Sequence, residues 1–340
     1  MEQCMVSVLI TFYNSEQYVD DCLKSVFSQK TTFPFKVIVG DDGSTDGTVN
    51  KIKEWKERYP ERLSYIIMPR EVGKKYVGGT RASRNRLALL GKVDTKYFQY
   101  LDGDDYWTDT DRLQMCYDVL ENPTNRDCVG CGHAICMFHE KNPSQVKRLP
   151  GSHTGEGKYQ LKRYWKDMYF HTDTILFRSE NIAKIRRDLL EDSFNDNLIT
   201  YSFMQFGPMY YVDKEMAAYR QNDNGIWAGE RKVVGVLREI ILYDLECKIN
   251  SDIKHIAFFR HFHNFRYVHK NRDKFVNLDA YYQIAESLSL SLTKKTIKRE
   301  PLFSNSNLLE GIILGALNIP YVLIKKSISV KRKIRLKFQS

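Results

Sequence analysis

The sequence lacks the features of secreted, membrane-spanning and disulfide-bonded proteins. Its N-terminus, MEQCMVSVLITFYN, has neither the basic segment nor the cleavage site of a signal peptide. The longest apolar stretch, 311–324, contains Asn318 and Pro320, and it is shorter than the roughly 20 residues that span a bilayer. The seven cysteines are odd in number and lie mostly among apolar residues. We therefore predict a cytoplasmic protein with reduced thiols.

Acidic residues are missing from one region. The formal net charge is +10, and residues 321–340 contain seven Lys or Arg and no Asp or Glu. The rest of the chain is nearly balanced, which argues against a nucleic-acid partner. Two interpretations of the basic tail stay open. It is either a peripheral anchor on an anionic membrane, at the inner face of the plasma membrane, or the solvated end of a final packed helix.

The first half of the chain alternates strand and helix patterns. Apolar, β-rich runs at 6–13, 35–40, 63–68 and 96–103 are separated by amphipathic segments at 16–29, 49–59 and 78–91. Such alternation predicts βαβ units and a parallel sheet.

Beyond residue 127 the pattern is less regular. We predict strands at 128–139, 172–178 and 209–220, and helices at 157–167, 179–190 and 195–207. Helical periodicity dominates from 233 onward. A boundary near Gly229 would separate an α/β domain, 1–229, from a helical C-terminal region, 230–340, that carries the basic tail.

Three of the predicted strands end in polar or acidic residues: TFYN, GDDGSTDGT and LDGDDYW. In open parallel sheets, ligands bind outside the carboxyl ends of the strands. A single Asp-Gly after a strand is ordinarily a turn or a helix cap. Three such ends at one edge of a sheet instead predict a binding site.

Four motifs carry a family resemblance: VSVLITFYNSEQYVDDCLKSVFSQ, VIVGDDGSTDGT, RASRNRLALL and YFQYLDGDDYW. In this order they resemble the nucleotide-sugar-binding half of family 2 glycosyltransferases, strongly over 6–113 and more weakly to 227. The resemblance implies a GT-A fold, with a mostly parallel central sheet flanked by helices and a helical C-terminal extension. It also implies an enzyme that transfers a sugar from a nucleotide diphosphate, with UDP expected, to a hydroxyl of a glycan or lipid-linked acceptor in surface polysaccharide assembly.

The resemblance assigns a nucleotide pocket to the first two strand ends. Thr11, Tyr13 and Asn14 would line it, and Asp42, with Asp41 beside it, would accept a hydrogen bond from the uracil ring. An ionised Asp only accepts hydrogen bonds, which suits a ring N–H. The alternative is that Asp41 and Asp42 form a turn and a helix cap.

The helix before the acidic motif carries further candidates. Arg81 and Arg84 are three residues apart and share a face, and Arg84-Asn85 matches a family pair near the nucleotide. We predict that Arg86 lies on a solvated basic face. Lys74 and Lys75 are predicted in a loop near the donor.

The acidic cluster matches the DxD motif of this family. Asp102, Asp104 and Asp105 fall within four positions, and their mutual repulsion would be relieved by a divalent cation. Mg²⁺ and Mn²⁺ prefer oxygen ligands and leave positions for substrate phosphates. The resemblance places Asp102 and Gly103 at the nucleotide-sugar and Asp104 on the metal. Asp105 is a second candidate ligand or a structural cap.

Transfer with inversion requires a base for the acceptor hydroxyl. The resemblance favours Asp196, at the start of a predicted helix, with Asp192 as the alternative; either could also serve only as a helix cap. In YRQNDNGIW, Arg220 and Trp227 would close over donor and acceptor. This loop differs from the QxxRW pattern of processive members, which favours transfer of a single sugar.

Two other functions compete with this one. A metal-dependent nucleotidyltransferase should have a Gly-rich phosphate loop after its first strand, and TFYNSEQY is not one. A non-catalytic basic binding module would not require Asp102, Asp104 or Asp196. We set aside zinc at Cys128 and Cys131, because a strand places them on opposite faces. His171 is either structural or part of the acceptor site.

Overall fold

The computed structural model describes residues 3–70, 79–151, 154–162, 170–191, 193, 195–222 and 232–303, with 306, 314 and 317. Contacts divide the chain into two compact units, Met1–Leu161 with Met168–Gly225 and Lys162–Asp167 with Ile226–Ser340. Several predictions fall outside the described residues: the boundary near Gly229, Lys74, Lys75, Asp192, Trp227 and the basic tail.

The first unit is built on a ten-stranded sheet. Its strands are β1 (Val6–Phe12), β2 (Phe35–Asp41), β3 (Leu63–Ile67), β4 (Tyr97–Asp102), β5 (Tyr106–Trp107), β6 (Gly130–His139), β7 (Asn142–Leu149), β8 (Gly157–Tyr159), β9 (Leu176–Arg178) and β10 (Met209–Gln221). The order is β3-β2-β1-β4-β9-β6-β10-β5, with β7 on β6 and β8 on β10. The first four strands are parallel to one another, as predicted, whereas β9 runs antiparallel to β4 and β6.

Helices flank this sheet because their apolar residues recur on one face. In the first unit the structure describes α1 (Val19–Phe27), α2 (Thr48–Arg58), α3 (Thr80–Leu90), α4 (Arg112–Glu121) and α5 (Asp196–Met204). On α1, Val19, Cys22 and Val26 are buried at helical spacing. These side chains belong to the same hydrophobic core as residues of β1, β2 and β4, so the strands that carry the polar ends are held by a packed core.

The second unit is helical in its described part. It contains α6 (Lys232–Ile249), α7 (Lys254–Lys270), α8 (Asp279–Ser287) and α9 (Ser291–Ile297). Leu237 and Ile241 of α6 and Phe262 and Phe265 of α7 are buried. Among the described helices, none combines the length and apolar character needed to cross a bilayer.

Two local predictions are wrong, and one strand was not predicted. Residues 157–159 form β8 instead of the start of a helix, because they pair with β10. The helix predicted over 179–190 is two short 3-10 turns, Ser179–Asn181 and Arg187–Leu189, with i to i−3 bonds such as Ile182 N–H to Ser179 O. We did not predict β7, whose residues are mostly exposed and are ordered by pairing with β6.

Candidate active site

The ends of β1, β2 and β4 meet at one edge of the sheet. Thr11 of β1 is in register with Gly40 of β2 on one side and with Asp102 of β4 on the other. The three polar strand ends are therefore adjacent, as the sequence predicts.

At the end of β2, the two acids have different partners. Asp41 is fully buried and accepts the backbone N–H groups of Gly43 (3.0 Å) and Ser44 (2.9 Å) and the Ser44 hydroxyl (2.5 Å). It therefore shapes the turn, which Gly43 completes with a φ of +75°. Asp42 forms ion pairs with Arg70 (2.8 Å) and Arg81 (2.7 Å).

Residues after β1 complete this side of the site. The Asn14 N–H donates to Ser44 Oγ (2.8 Å) and its Oδ1 accepts the Thr45 N–H (2.9 Å), which joins the two loops. The Tyr13 side chain is exposed, and the Arg70 guanidinium carbon stacks over its ring, 3.8 Å from the ring centre. This leaves an aromatic face beside Asp42.

Helix α3 packs across the ends of β2 and β4. Asn85 is buried and donates to the Gly40 carbonyl (2.8 Å), so it fixes the helix to β2. Arg84 remains partly exposed, 4.0 Å from Glu191. The prediction that Arg86 is solvated is wrong: its side chain is 12% exposed and forms an ion pair with Asp102, because α3 packs against the end of β4.

The acidic loop is the turn at the end of β4 that carries Asp102, Asp104 and Asp105, and Gly103 brings it against β1. Its N–H donates to the Thr11 carbonyl (2.9 Å), and a Cβ at this position would lie 2.1 Å from the Phe12 ring. The Asp102 carboxylate accepts from Thr11 Oγ1 (3.3 Å). Only glycine permits this approach, and it holds Asp102 and Asp104 on either side of one tight turn.

Asp104 is the least compensated acid of the DxD motif. Its contact is with Asn222, whose Nδ2 lies 3.2 Å from Oδ2. Burial, together with the charge of Asp102, raises the pKa of Asp104 to about 6. A group in this state gains from a nearby cation.

Asp105 lies on the buried side of the loop. Its Oδ1 accepts the Arg220 N–H (2.7 Å). Burial and the neighbouring Asp173 raise the pKa of Asp105 well above its ordinary value, and burial also raises the pKa of Asp173 to about 6. Ligand atoms of Asp105, His171 and Asp173 all lie within 4.8 Å of one another.

Asp196 is the first residue of α5 and faces this cluster. The helix is capped by Asn195, whose side chain accepts the Leu198 N–H (2.9 Å), so Asp196 is not the capping residue. Its Oδ1 accepts the Thr172 hydroxyl (2.8 Å) and its Oδ2 lies 3.5 Å from His171 Nε2.

His171 is buried between acids. Burial alone would lower the pKa of His171, but the carboxylates of Asp196 and Asp173 outweigh it and raise that pKa. We did not identify Asp173 from the sequence, because no local motif marks a residue that meets β4 only in the folded chain.

Arg220 lies at the edge of the site. Its guanidinium is 3.1 Å from Asp21 and lies over the Tyr18 ring (4.7 Å). Its side chain is therefore held in place, while its N–H orients Asp105.

The residues present fit a divalent cation. Four acids (Asp102, Asp104, Asp105 and Asp173) crowd one turn, and Asp105 Oδ2 is buried without a hydrogen-bond donor among the described residues. Carboxylate oxygens are the ligands that Mg²⁺ and Mn²⁺ prefer. Elsewhere in the described part of the chain no His, Cys, Asp or Glu cluster could hold a metal, and His133 is occupied by Arg112 (2.8 Å).

A family model described as Glycosyl transferase family 2 matches residues 7–186. The chain belongs to this family. The glycosyltransferase TuaG of Bacillus subtilis (strain 168), named for teichuronic acid biosynthesis, is 30% identical over 245 residues, 69% of this chain and 88% of the relative. The chain spans only 60% of the length of uncharacterized Mycobacterium relatives, to which it is 26% identical.

Solved structures share the fold of this family 2 chain. S. aureus TarS 1–349 in complex with UDP has a TM-score of 0.56 at 16% identity, over 87% of this chain and 88% of that one. GalNAc-T7 with UDP, GalNAc and Mn²⁺ has a TM-score of 0.52 at 12% identity, over 87% and 56%. The predicted GT-A fold, with a central sheet flanked by helices, is confirmed.

Proposed function

We propose that this protein is an inverting glycosyltransferase that moves one sugar from a nucleotide diphosphate sugar, with UDP expected, to a hydroxyl acceptor. The observation that carries the proposal is the undercompensated Asp104, held at the end of β4 within the same polar cluster as Asp196. Such a pairing supplies a metal ligand on the donor side and a base on the acceptor side.

Each predicted residue keeps its proposed role. The proposed metal ligand is Asp104, with Asp105 as second candidate. The proposed base is Asp196, with Asp192 as the alternative, and the proposed loop over donor and acceptor contains Arg220 and Trp227. The proposed nucleotide-sugar site comprises Thr11, Tyr13, Asn14, Asp41, Asp42, Arg81, Arg84, Asn85, Asp102 and Gly103. Asp41 and Asn85 contribute indirectly, since their side chains hold the turn and helix α3.

The chemistry follows from these positions. A bound Mg²⁺ or Mn²⁺ supplies Lewis-acid stabilisation for the departing diphosphate. Asp104 and Asp102 orient the donor toward α5. Asp196 accepts the proton of the acceptor hydroxyl while the hydroxyl oxygen bonds to the anomeric carbon. The bond between that carbon and the diphosphate oxygen breaks on the opposite face.

Two solved structures with the same fold and the relative TuaG support the finer parts of the proposal. TarS has been solved with UDP, and GalNAc-T7 with UDP and Mn²⁺, which favours a UDP-sugar and a metal here. TuaG is named for teichuronic acid biosynthesis, which favours a glycan or lipid-linked acceptor in surface polysaccharide assembly. An anionic membrane surface is a proposed partner of the basic tail.

Release of UDP from a panel of UDP-sugars, with Mn²⁺ or Mg²⁺, tests the proposal. Asp196→Asn should lower the rate of release by about 100- to 10,000-fold, to a residual rate that can still be measured, and keep donor binding, measured by calorimetry. Asp188→Asn is the matched control, because Asp188 is an exposed acid whose ion-pair partner among the described residues is Arg186. If Asp192→Asn abolishes release instead, the base assignment is wrong. Absence of turnover with every donor would favour the binding module, and pyrophosphate formation from a nucleoside triphosphate would favour the nucleotidyltransferase.

A further inference from the structure

A continuous series of polar contacts connects α5 with the acidic loop. Asp196 faces His171, His171 faces Asp173, and Asp173 Oδ1 accepts the backbone N–H of Asp102 (3.0 Å). His171 has no role in the proposed reaction so far, and Asp173 is only one of the acids near the proposed cation. Both are buried, with 6% and 0% of the residue exposed, so they cannot be solvated surface groups.

We propose that His171 is a positioning residue for Asp196 and that Asp173 anchors it to the acidic loop. This inference rests on Asp196 being the base of the proposed function. The proposed base and the acidic loop are then held at a fixed distance from each other by this series of contacts.

The Asp196 carboxylate is fixed at two points. Thr172 Oγ1 lies 2.8 Å from Oδ1, and His171 Nε2 lies 3.5 Å from Oδ2. The side chain of Asp196 is a fifth exposed and stands at a helix start. Contacts from the adjacent residues His171 and Thr172, one to each carboxylate oxygen, restrict its rotation.

The imidazole that provides one of these contacts is itself fixed. Its Nδ1 lies 3.4 Å from Asp173 Oδ2, and its ring packs 4.7 Å from the Tyr219 ring. Asp173 in turn accepts, through its carbonyl, the side-chain N–H groups of Gln99 (2.6 Å) and Trp107 (3.3 Å). Asp173 is therefore tied to β4 and β5 at three points.

This series of contacts matters for the rate because a displacement reaction requires the base within hydrogen-bond reach of the attacking hydroxyl. A displacement of about 1 Å can cost about 100-fold in rate. Removal of one contact should therefore lower kcat, and it should leave donor binding almost unchanged because the nucleotide pocket lies at β1 and β2.

The test uses the full chain, Mn²⁺ and the UDP-sugar that gives the fastest UDP release. His171→Gln and Thr172→Val should each lower kcat by about 10- to 100-fold with the donor KM within about 2-fold. In an Asp196→Asn background, neither change should reduce the rate further, because the residue that they position has lost its function. A purely structural role would lower the rate in both backgrounds.

Thr174→Val is the matched control. Its hydroxyl is in the same turn and donates to the His171 carbonyl (2.7 Å), but it touches no carboxylate of the site. We expect it to cost stability while kcat stays within about 2-fold of the parent. Thr172→Val carries the test if His171→Gln does not fold.

Three results would overturn the inference: a higher KM at unchanged kcat, an undiminished effect in the Asp196→Asn background, or loss of Mn²⁺ binding by His171→Gln, which would make His171 a metal ligand. An inactive parent protein would instead refute the proposed function, and the inference with it. An active parent with unaffected His171→Gln and Thr172→Val variants would refute the inference alone.

Discussion

The strand ends of β2 and β4 have similar sequences, GDDGS and LDGDD, and opposite electrostatics. At β2, two arginines neutralise Asp42, and backbone N–H groups and a serine satisfy Asp41. At β4, Asp102 has Arg86, but the pKa values of Asp104, Asp105 and Asp173 are all raised, and Asp105 is influenced by both of the other two acids.

This difference separates the acids that the chain itself neutralises from the acids that the proposed cation would neutralise. Acids with charged or hydrogen-bonding partners in the chain stabilise the folded state. Acids that repel one another destabilise the folded state, and a bound cation would remove that repulsion. Substitutions at the two ends should therefore have opposite effects.

The largest effect is expected for Asp104→Asn. We predict a loss of at least about 100-fold in kcat/KM for UDP release, because the metal contributes several kcal/mol to the transition state. Without metal, the variant should unfold at the same or a higher temperature than the parent, since a repulsion with Asp102 is removed. Kinetics and thermal unfolding in EDTA measure both.

Mn²⁺ sharpens this result. At a Mn²⁺ concentration of 100 times the Kd, the free energy of unfolding of the parent should rise by about 2.7 kcal/mol, and its melting temperature should rise with it. The melting temperature of Asp104→Asn should not change. A full Mn²⁺ shift in the variant would exclude Asp104 as the main ligand.

Asp42→Ala should have the opposite signature. It leaves Arg70 and Arg81 without their shared carboxylate, and we predict a loss of about 2–3 kcal/mol in the free energy of unfolding. Loss of one partner from a fully buried pair costs about 3–5 kcal/mol, and Arg70 is 30% exposed. Urea unfolding provides the measurement, and the Mn²⁺ shift should survive.

Asp188→Ala is the control for Asp42→Ala, because both members of its ion pair are more than half exposed. It should cost no more than about 1 kcal/mol. Equal losses in the two variants would contradict the role assigned to the Asp42 pairs.

The predictable part of the molecule is local in sequence. The four parallel strands follow from βαβ alternation, and the crowding of Asp102, Asp104 and Asp105 follows from adjacent residues at one strand end. The pairing of Arg86 with Asp102 and the position of Asp173 were missed, since both depend on packing between distant segments. The strand β8 was mistaken for helix because its partner, β10, lies far away in the sequence, and tertiary pairing overrides local propensity.

The next effect is a pH dependence of the metal-free protein. In the folded state the pKa of Asp104 is raised from 3.8 to about 6, so between pH 4 and 6 the folded state binds more protons than the unfolded one. Stability from this group is therefore present below pH 4 and is lost as the pH rises through 6.

Urea unfolding of the parent and of Asp104→Asn in EDTA, at pH 4 to 7, isolates this contribution. The stability of the parent relative to the variant should fall by about 2 kcal/mol across the window. Carboxyls with a lowered pKa, such as Asp20, change stability below pH 4. Their contribution is the same in the parent and the variant, so it cancels in the difference in stability between the two proteins. A difference that is flat with pH would contradict the raised pKa.

The smallest effect is expected at the satisfied strand end. Ser44 accepts the Asn14 N–H and donates to Asp41, so Ser44→Ala removes two hydrogen bonds that join the loops after β1 and β2. The loss should be only about 1 kcal/mol, because the Asn14 end is exposed and water can replace the serine there. As a control, Ser64→Ala replaces an exposed serine in β3 and should change stability by less than about 0.5 kcal/mol.

Since Ser44 orders Asn14 and Asp41 without touching the acids of β4, its variant should weaken donor binding and preserve the Mn²⁺ shift. Loss of that shift would mean that the two strand ends are coupled, and that their different electrostatics do not reflect separate roles.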